Sequence, residues 1–362
     1  RQIHEFPDGA AGQQLAHTRG ARADQLPEFF SPIEPLDGCW TSFGPMSITL
    51  LNLHPTPADL QRLVRDGMQR SPRQLPAWML YDAEGSRLFE EICRQPEYTL
   101  TRREITLLEQ NAAAIAAATG PGLVVEFGIG NARKVDPLLT ALGSSVFAAL
   151  DISLSALENA LTGLANLHPG IAMVGICCDH TQLKQLPHHP ALEGQTCIGF
   201  FPGSSLGNFA PEEAVQFLAN ARQLLAGGPL LLGLDQPRDP ALLEAAYDDA
   251  AGVSAAFARN LLTRINRDLN GDANPEHFRY QARWQAHDQR IEMALVSTRD
   301  QTVHLAGDAW FFRDGEAWIT EYSVKYSPTA AAELAERAGW RIERRWHDPE
   351  DHLSMHLLQP AD

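Results

Sequence analysis

The five cysteines (Cys39, Cys93, Cys177, Cys178, Cys197) include no CxxC pair and are odd in number. Neither a disulfide framework nor a zinc knuckle is indicated, and a reducing compartment is expected. Basic residues are scarce: 29 Lys and Arg stand against 45 Asp and Glu, a formal charge of -16 with no basic run. Such a chain repels polyphosphate and anionic lipid, so neither nucleic acid nor a membrane surface is an expected partner, and small molecules are. No apolar run approaches the roughly 20 residues that span a bilayer, and the first residues carry no charged-then-apolar signal pattern. A cytoplasmic location is expected. Two nucleotide signatures are missing as well. The P-loop pattern is absent, and the third glycine of a dinucleotide fingerprint is replaced by Arg133, which argues against NAD or FAD.

What is present is a core and an order. With 362 residues, 44% of them hydrophobic, the chain can fill one large domain or two ordinary ones. Residues 1–55 are rich in Pro and Gly, show only one short apolar piece, "SITLLNL", and carry no assignable role. From Thr56, a potential cap, the pattern turns helical, and a long amphipathic helix is expected around 102–118. Five apolar runs then alternate with helical stretches: "LVVEF" (123–127), "VFAAL" (146–150), "IAMVGI" (171–176), "CIGFF" (197–201) and "PLLLGL" (229–234). Continuous apolar strands separated by helices predict a parallel sheet covered on both faces. Beyond residue 239 a helical stretch leads into "HFRYQARWQ", "RIEMALVST", "QTVHLA" and "EAWITEYSVKY", read as an antiparallel, half-solvated sheet. A last helix and two strands could complete the first sheet. The expectation is an α/β, doubly wound Rossmann-like domain over 103–238 and 327–362, with an inserted α+β substrate-binding domain built from 56–102 and 239–326.

In an open parallel sheet the ligand sits at the carboxyl ends of the strands. The first strand-to-helix turn is Glu126-Phe127-Gly128-Ile129-Gly130, where Gly128 and Gly130 let the backbone approach a ligand that a Cβ would exclude. A strand-end acid followed by two such glycines is the pattern of S-adenosylmethionine sites. Asp151 ends the next strand, 21 residues past Gly130, and can accept both ribose hydroxyls; Asp179 follows the third strand and could take the adenine amino group.

Several separated stretches, "YDAEGSRLFEEICRQPEY" (81–98), "EFGIGNARK" (126–134), "FFPGSSLGNF" (200–209), "YDDAAGVSAAF" (247–257), "RIEMALVS" (290–297), "ITEYSVKY" (319–326) and "HLSMHLL", resemble the histidine-specific Nα-methyltransferases of ergothioneine biosynthesis. The resemblance covers roughly residues 56–362. It implies a class I methyltransferase domain, S-adenosylmethionine as cofactor, and stepwise methylation of L-histidine to its trimethylated betaine, hercynine. It also implies roles residue by residue. Tyr98 and Asn208, with Tyr247, surround the substrate's α-carboxylate and amine; Tyr81 lies near the amine, Phe89 is an apolar neighbour, and the Gly203 backbone lines the same place. Tyr81 and Asn208 are the expected catalytic pair. Lys134 is expected to meet the cofactor's carboxylate.

Glu321 and Ser323 stand two apart on an expected strand and so face one way. A carboxylate and a hydroxyl on one face can bind both nitrogens of an imidazole. In the resembling family this pair reads histidine, with Met293 beside the ring, whereas an indole would leave a buried Glu321 partly unpaired. Two departures stand out: Thr99 and Leu100 replace the family's usual Tyr and Pro, and the glycine loop reads "GIGNARK". No metal is expected, because His352 and His356 fall on an apparent strand without a third ligand. "GSS" at 203–205 is not a hydrolase elbow. A monomer is expected. Another amino acid or small amine as acceptor, or a silent S-adenosylmethionine-binding sensor or scaffold, stays open at this level.

Overall fold

A computed structural model describes residues 40–43, 48–53, 57–130 and 132–361, all within one compact unit. Most of the arm 1–55, together with Thr56, lies outside the described residues. Strands β1 (Thr41–Phe43) and β2 (Ile48–Asn52) precede helix α1 (Pro57–Gln69), the short strand β3 (Arg73–Gln74), and helices α2 (Ala83–Arg94) and α3 (Leu100–Thr119). The alternating region follows as β4 (Leu123–Phe127), α4 (Asp136–Leu142), β5 (Val146–Asp151), α5 (Leu154–Leu167), β6 (Ala172–Cys177), β7 (Cys197–Phe201), α6 (Pro211–Leu224) and β8 (Leu230–Asp235). Helices α7 (Pro240–Tyr247) and α8 (Val253–Leu269) lead to β9 (Phe278–Gln285), β10 (Arg290–Ser297), β11 (Gln301–Leu305), β12 (Asp308–Phe312) and β13 (Ala317–Val324). The chain closes with α9 (Pro328–Arg337), β14 (Trp340–His347) and β15 (Leu353–Pro360).

One sheet of nine strands runs in the order β1-β2-β6-β5-β4-β7-β8-β15-β14. From β2 to β8 every pair is parallel, while β15 and β14 return antiparallel. The chain winds from β4 through β5 to β6 on one side, then crosses to β7 and β8 on the other. The order therefore reverses at β4, and the crevice at its carboxyl end is where a doubly wound sheet takes its ligand. Strands β4, β7 and β8 are buried at every position, as expected of apolar runs covered on both faces. The α/β, doubly wound, Rossmann-like arrangement is present.

The second sheet, β3-β13-β10-β9, stands apart from the first. Its structure departs from the sequence reading in three ways. The helical stretch after 239 is two helices, because Asp249 accepts from the backbone N–H groups of Val253 (2.9 Å) and Ser254 (2.7 Å) and so starts α8 anew. Strand β11 joins β12 in a separate hairpin instead of the larger sheet. Most consequentially, β13 is buried along most of both faces, since it sits between β3 and β10 and packs on the turn at 205–208. In addition, β2 pairs in parallel with β6, so part of the unassigned arm belongs to the large sheet.

Local chemistry fixes the segments that carry the site. Asp82 caps α2 by accepting from Gly85 N (2.9 Å), and Gly85 is required because a Cβ there would stand 1.8 Å from Leu80 O. In β13 a bulge places Thr320 as the extra residue between the pairs Met293/Glu321 and Ala294/Ile319, with its hydroxyl donating to Met293 O at 3.2 Å. Bulges re-aim neighbouring side chains. Here the re-aimed neighbour is Glu321.

Candidate active site

A cleft of about 1600 Å³ opens at the carboxyl ends of β4, β5 and β6. Gly128, Gly130, Lys134, Asp151 and Asp179 line it on the sheet side, and Tyr81, Phe89, Tyr98, Gly203 and Asn208 on the other. The structure thus brings together ten residues singled out from the sequence. Glu126 lies beneath the floor; Tyr247, Met293, Glu321 and Ser323 stand behind the far wall.

On the sheet side, Glu126 is fully buried and neither carboxylate oxygen finds a hydrogen-bond partner among the described residues. Burial holds its carboxyl well above the ordinary range; Lys134 opposes this, while Asp151 and Glu104 add to it. Gly128 and Gly130 take φ values of 74° and 40°, the left-handed region that suits glycine. Asp151 accepts from Ser153 N at 2.8 Å through one oxygen and turns the other toward Gly130 N at 3.5 Å. Burial raises its carboxyl, and those backbone contacts pull the other way. Asp179 Oδ1 accepts from Thr181 N (3.0 Å) and Thr181 Oγ1 (2.6 Å).

Lys134 has a partner that the sequence did not reveal. Its Nζ lies 3.0 Å from Glu104 Oε2 on α3, and the same carboxylate accepts from Gly203 N at 2.8 Å and 2.9 Å. Gly203 has φ 79°, and a Cβ there would come within 2.8 Å of Lys134 Nζ. Glu104, near the start of α3 among ordinary polar and apolar neighbours, gave no signal in sequence.

The far side is built of rings and a buried polar chain. Tyr81 packs edge-on to Phe89 (5.6 Å) and Phe257 (5.3 Å), and Tyr98 to Phe89 (6.2 Å) and Tyr247 (5.9 Å). Burial holds the Tyr81 hydroxyl well above the usual phenol range, with Glu321 the next cause; for Tyr98 burial is followed by Tyr247. Asn208 Nδ2 donates to Glu321 Oε1 at 2.7 Å. Burial pushes the Glu321 carboxyl up to about 8 against the opposing pull of Lys325. Met293 sits directly across from Glu321 on β10. Ser323 Oγ and Tyr247 Oη lie 2.8 Å apart, and Lys325 Nζ donates to both, at 2.7 Å and 2.6 Å. The ammonium also pairs with Asp235 Oδ2 at 2.8 Å. Both ions were legible in principle: Lys325 continues the 321, 323 alternation, and Asp235 ends a strand as Asp151 does and Glu126 nearly does. His356 is buried, with Nε2 2.8 Å from Ser354 Oγ, and no His, Cys, Asp and Glu cluster suited to a metal occurs among the described residues.

A family model described as "Histidine-specific methyltransferase, SAM-dependent" matches residues 60–360. The chain belongs to this family. Among curated relatives it is 38% identical over 307 residues to the histidine N-alpha-methyltransferase of Mycolicibacterium smegmatis, covering 82% of this chain and 94% of that protein. The protein of the same name from Mycobacterium tuberculosis matches with the same identity and coverage. Ergothioneine biosynthesis protein 1 of Neurospora crassa is 32% identical over 300 residues, covering 79% of this chain and 33% of that longer protein. The family's cofactor is S-adenosylmethionine, and the sheet side of the cleft fits it. The orphaned Glu126 carboxylate calls for a donor, and the left-handed glycines leave open space where a side chain would stand. Among the described residues no helix is long and apolar enough to cross a membrane.

Proposed function

We propose that this protein transfers methyl groups from S-adenosylmethionine to the α-amine of L-histidine, stepwise to the trimethylated betaine, an early step of ergothioneine biosynthesis. The observation that carries the reading is the buried Glu321 and Ser323 face, set directly behind Asn208 in the wall of the cleft. Residues 56–102 and 239–326 form the half that holds histidine, and 103–238 with 327–362 the half that holds the cofactor. The enzyme works as a cytoplasmic monomer.

Glu126, Gly128, Gly130, Lys134, Asp151 and Asp179 hold the cofactor. When bound, it supplies an electrophilic methyl group on a sulfonium. The remaining work is positioning, which alone accounts for a large share of the barrier when reacting atoms are held at about 3–3.5 Å. Tyr98, Asn208 and Tyr247 grip the α-carboxylate and amine through groups that hydrogen-bond without neutralising either charge. Glu321 and Ser323 bind the two ring nitrogens, and Met293 and Phe89 pack beside the substrate. Tyr81 orients the amine's lone pair. Because burial keeps Tyr81 and Tyr98 as phenols, neither acts as a base at neutral pH, and the ammonium proton leaves to solvent. Turnover at limiting histidine therefore rises with pH until the free amine dominates.

Incubating the protein with S-adenosylmethionine and each amino acid separately, followed by mass spectrometry, tests the reading. Histidine should gain up to three methyl groups. Preferential methylation of another amino acid, or of none, would overturn it.

A further inference from the structure

Behind the cleft, Lys325 meets three oxygens at once: Tyr247 Oη at 2.6 Å, Ser323 Oγ at 2.7 Å and Asp235 Oδ2 at 2.8 Å. Lys325 and Asp235 are both buried, and they join the second sheet to the end of β8. The backbone tie from Tyr326 N to Asp235 O (2.9 Å) locks the same junction. Resting on the histidine reading above, we propose that Lys325 is a positioning residue: clamped by Asp235, it couples recognition of the substrate's carboxylate to recognition of its imidazole.

An ammonium only donates, whereas each hydroxyl has one hydrogen and two lone pairs. Lys325 fills one lone pair on Tyr247 and one on Ser323. The two hydroxyls are 2.8 Å apart, so one donates to the other. If Tyr247 donates, Ser323 keeps a free hydrogen and accepts nothing more. If Ser323 donates, Tyr247 keeps the free hydrogen and Ser323 keeps a lone pair. The pair therefore shows its partner one donor and one acceptor, always on opposite oxygens. A carboxylate at Tyr247 needs the donor there, which leaves Ser323 as an acceptor for a ring N–H. The other ring nitrogen then shares a single proton with Glu321. Without Lys325 both oxygens regain a lone pair, and the two ends of the site become independent.

The test compares L-histidine with L-histidinamide, which lacks the carboxylate, in the wild type and in the double variant Lys325→Met/Asp235→Asn. The asparagine keeps an amide oxygen for Arg238, whose guanidinium pairs with Asp235 Oδ1 at 2.5 Å and also donates to Gln236 O at 3.2 Å, so no buried group is left without a partner. The double variant should bind S-adenosylmethionine in calorimetry within about twofold of the wild type, which certifies the fold. In the wild type the KM of the amide should exceed that of histidine by tenfold or more. In the variant the histidine KM should rise while the amide KM changes little, so their ratio falls at least fivefold, with kcat for histidine within about threefold. A purely structural role would raise both KM values together and leave the ratio unchanged, which overturns the proposal. Should the double variant fail the calorimetric check, Lys325→Arg keeps the charge against Asp235 but replaces one point donor by a planar fork, and the same ratio should fall. A wild type that leaves histidine unmethylated overturns the functional reading itself, whereas an active wild type with an unchanged ratio overturns only this inference.

Discussion

Replacing Glu321 with Gln keeps the acceptor that Asn208 uses and removes the ionisable group. The carboxyl rises from an ordinary 4.5 to about 8 in the fold, chiefly through burial. At about 1.4 kcal/mol per pH unit of displacement, this corresponds to about 5 kcal/mol between the fully protonated and fully ionised limits. The sign follows from the direction. A raised carboxyl favours the neutral form in the folded state, so its stabilisation is complete below the ordinary value and lost as pH rises through about 8. Urea unfolding of the ligand-free wild type and of Glu321→Gln, from about pH 5 to about pH 9, isolates the effect, because every other titrating group is common to both. The variant should gain about 4 kcal/mol relative to the wild type across that range. Parallel stability profiles would refute the reasoning: Glu321 would then be solvated or paired well enough to ionise freely, and the closed polar wall described here would be wrong.

Glu321→Ala should raise the KM for histidine at least tenfold while lowering kcat less, as measured by initial rates; unchanged histidine affinity would remove it from substrate recognition. Glu126→Gln takes away a buried carboxylate without partners, so the ligand-free protein should melt higher while calorimetry shows S-adenosylmethionine binding at least tenfold weaker. In Gly203→Ala the strained φ of 79° and the approach to Lys134 should cost about 1–2 kcal/mol, read by urea unfolding, and weaken cofactor binding as the lysine is displaced. Asp82→Ala removes the cap of α2 together with the contacts to Asn260 (2.7 Å) and Arg267 (3.0 Å). It should lower stability by about 1–2 kcal/mol in the same assay and leave cofactor affinity unchanged.

The parts of the fold that could be read from sequence are those where one physical cause dominates. Five apolar runs buried on both faces leave little choice but parallel strands, and the strand-end positions of Glu126, Asp151 and Asp179 follow from that order alone. Where two causes compete, sequence falls short. The stretch from 239 to 269 has helical periodicity throughout, yet Asp249 is a stronger start signal than the periodicity is a continuation. Strand β13 alternates polar and apolar residues as a half-solvated strand would, but its polar face meets the turn at 205–208 instead of water, which its own sequence does not encode. Glu104 is a further example: one of two acids in a long helix, it becomes the clasp between Lys134 and Gly203 only through contacts well separated in sequence, Gly203 lying 99 positions further on.

Strand β2 has a practical corollary for anyone trimming the chain. It shields β6 along five residue pairs, from Ile48 against Met173 to Asn52 against Cys177, and Leu50 nestles over Gly175, where an added Cβ would lie 2.3 Å from it. A shortened protein starting at residue 57 would bare the full backbone ladder of an apolar strand whose far end leads to Asp179. Naked ladders of that kind recruit one another, so such a truncation should precipitate or self-associate before any loss of chemistry could be measured.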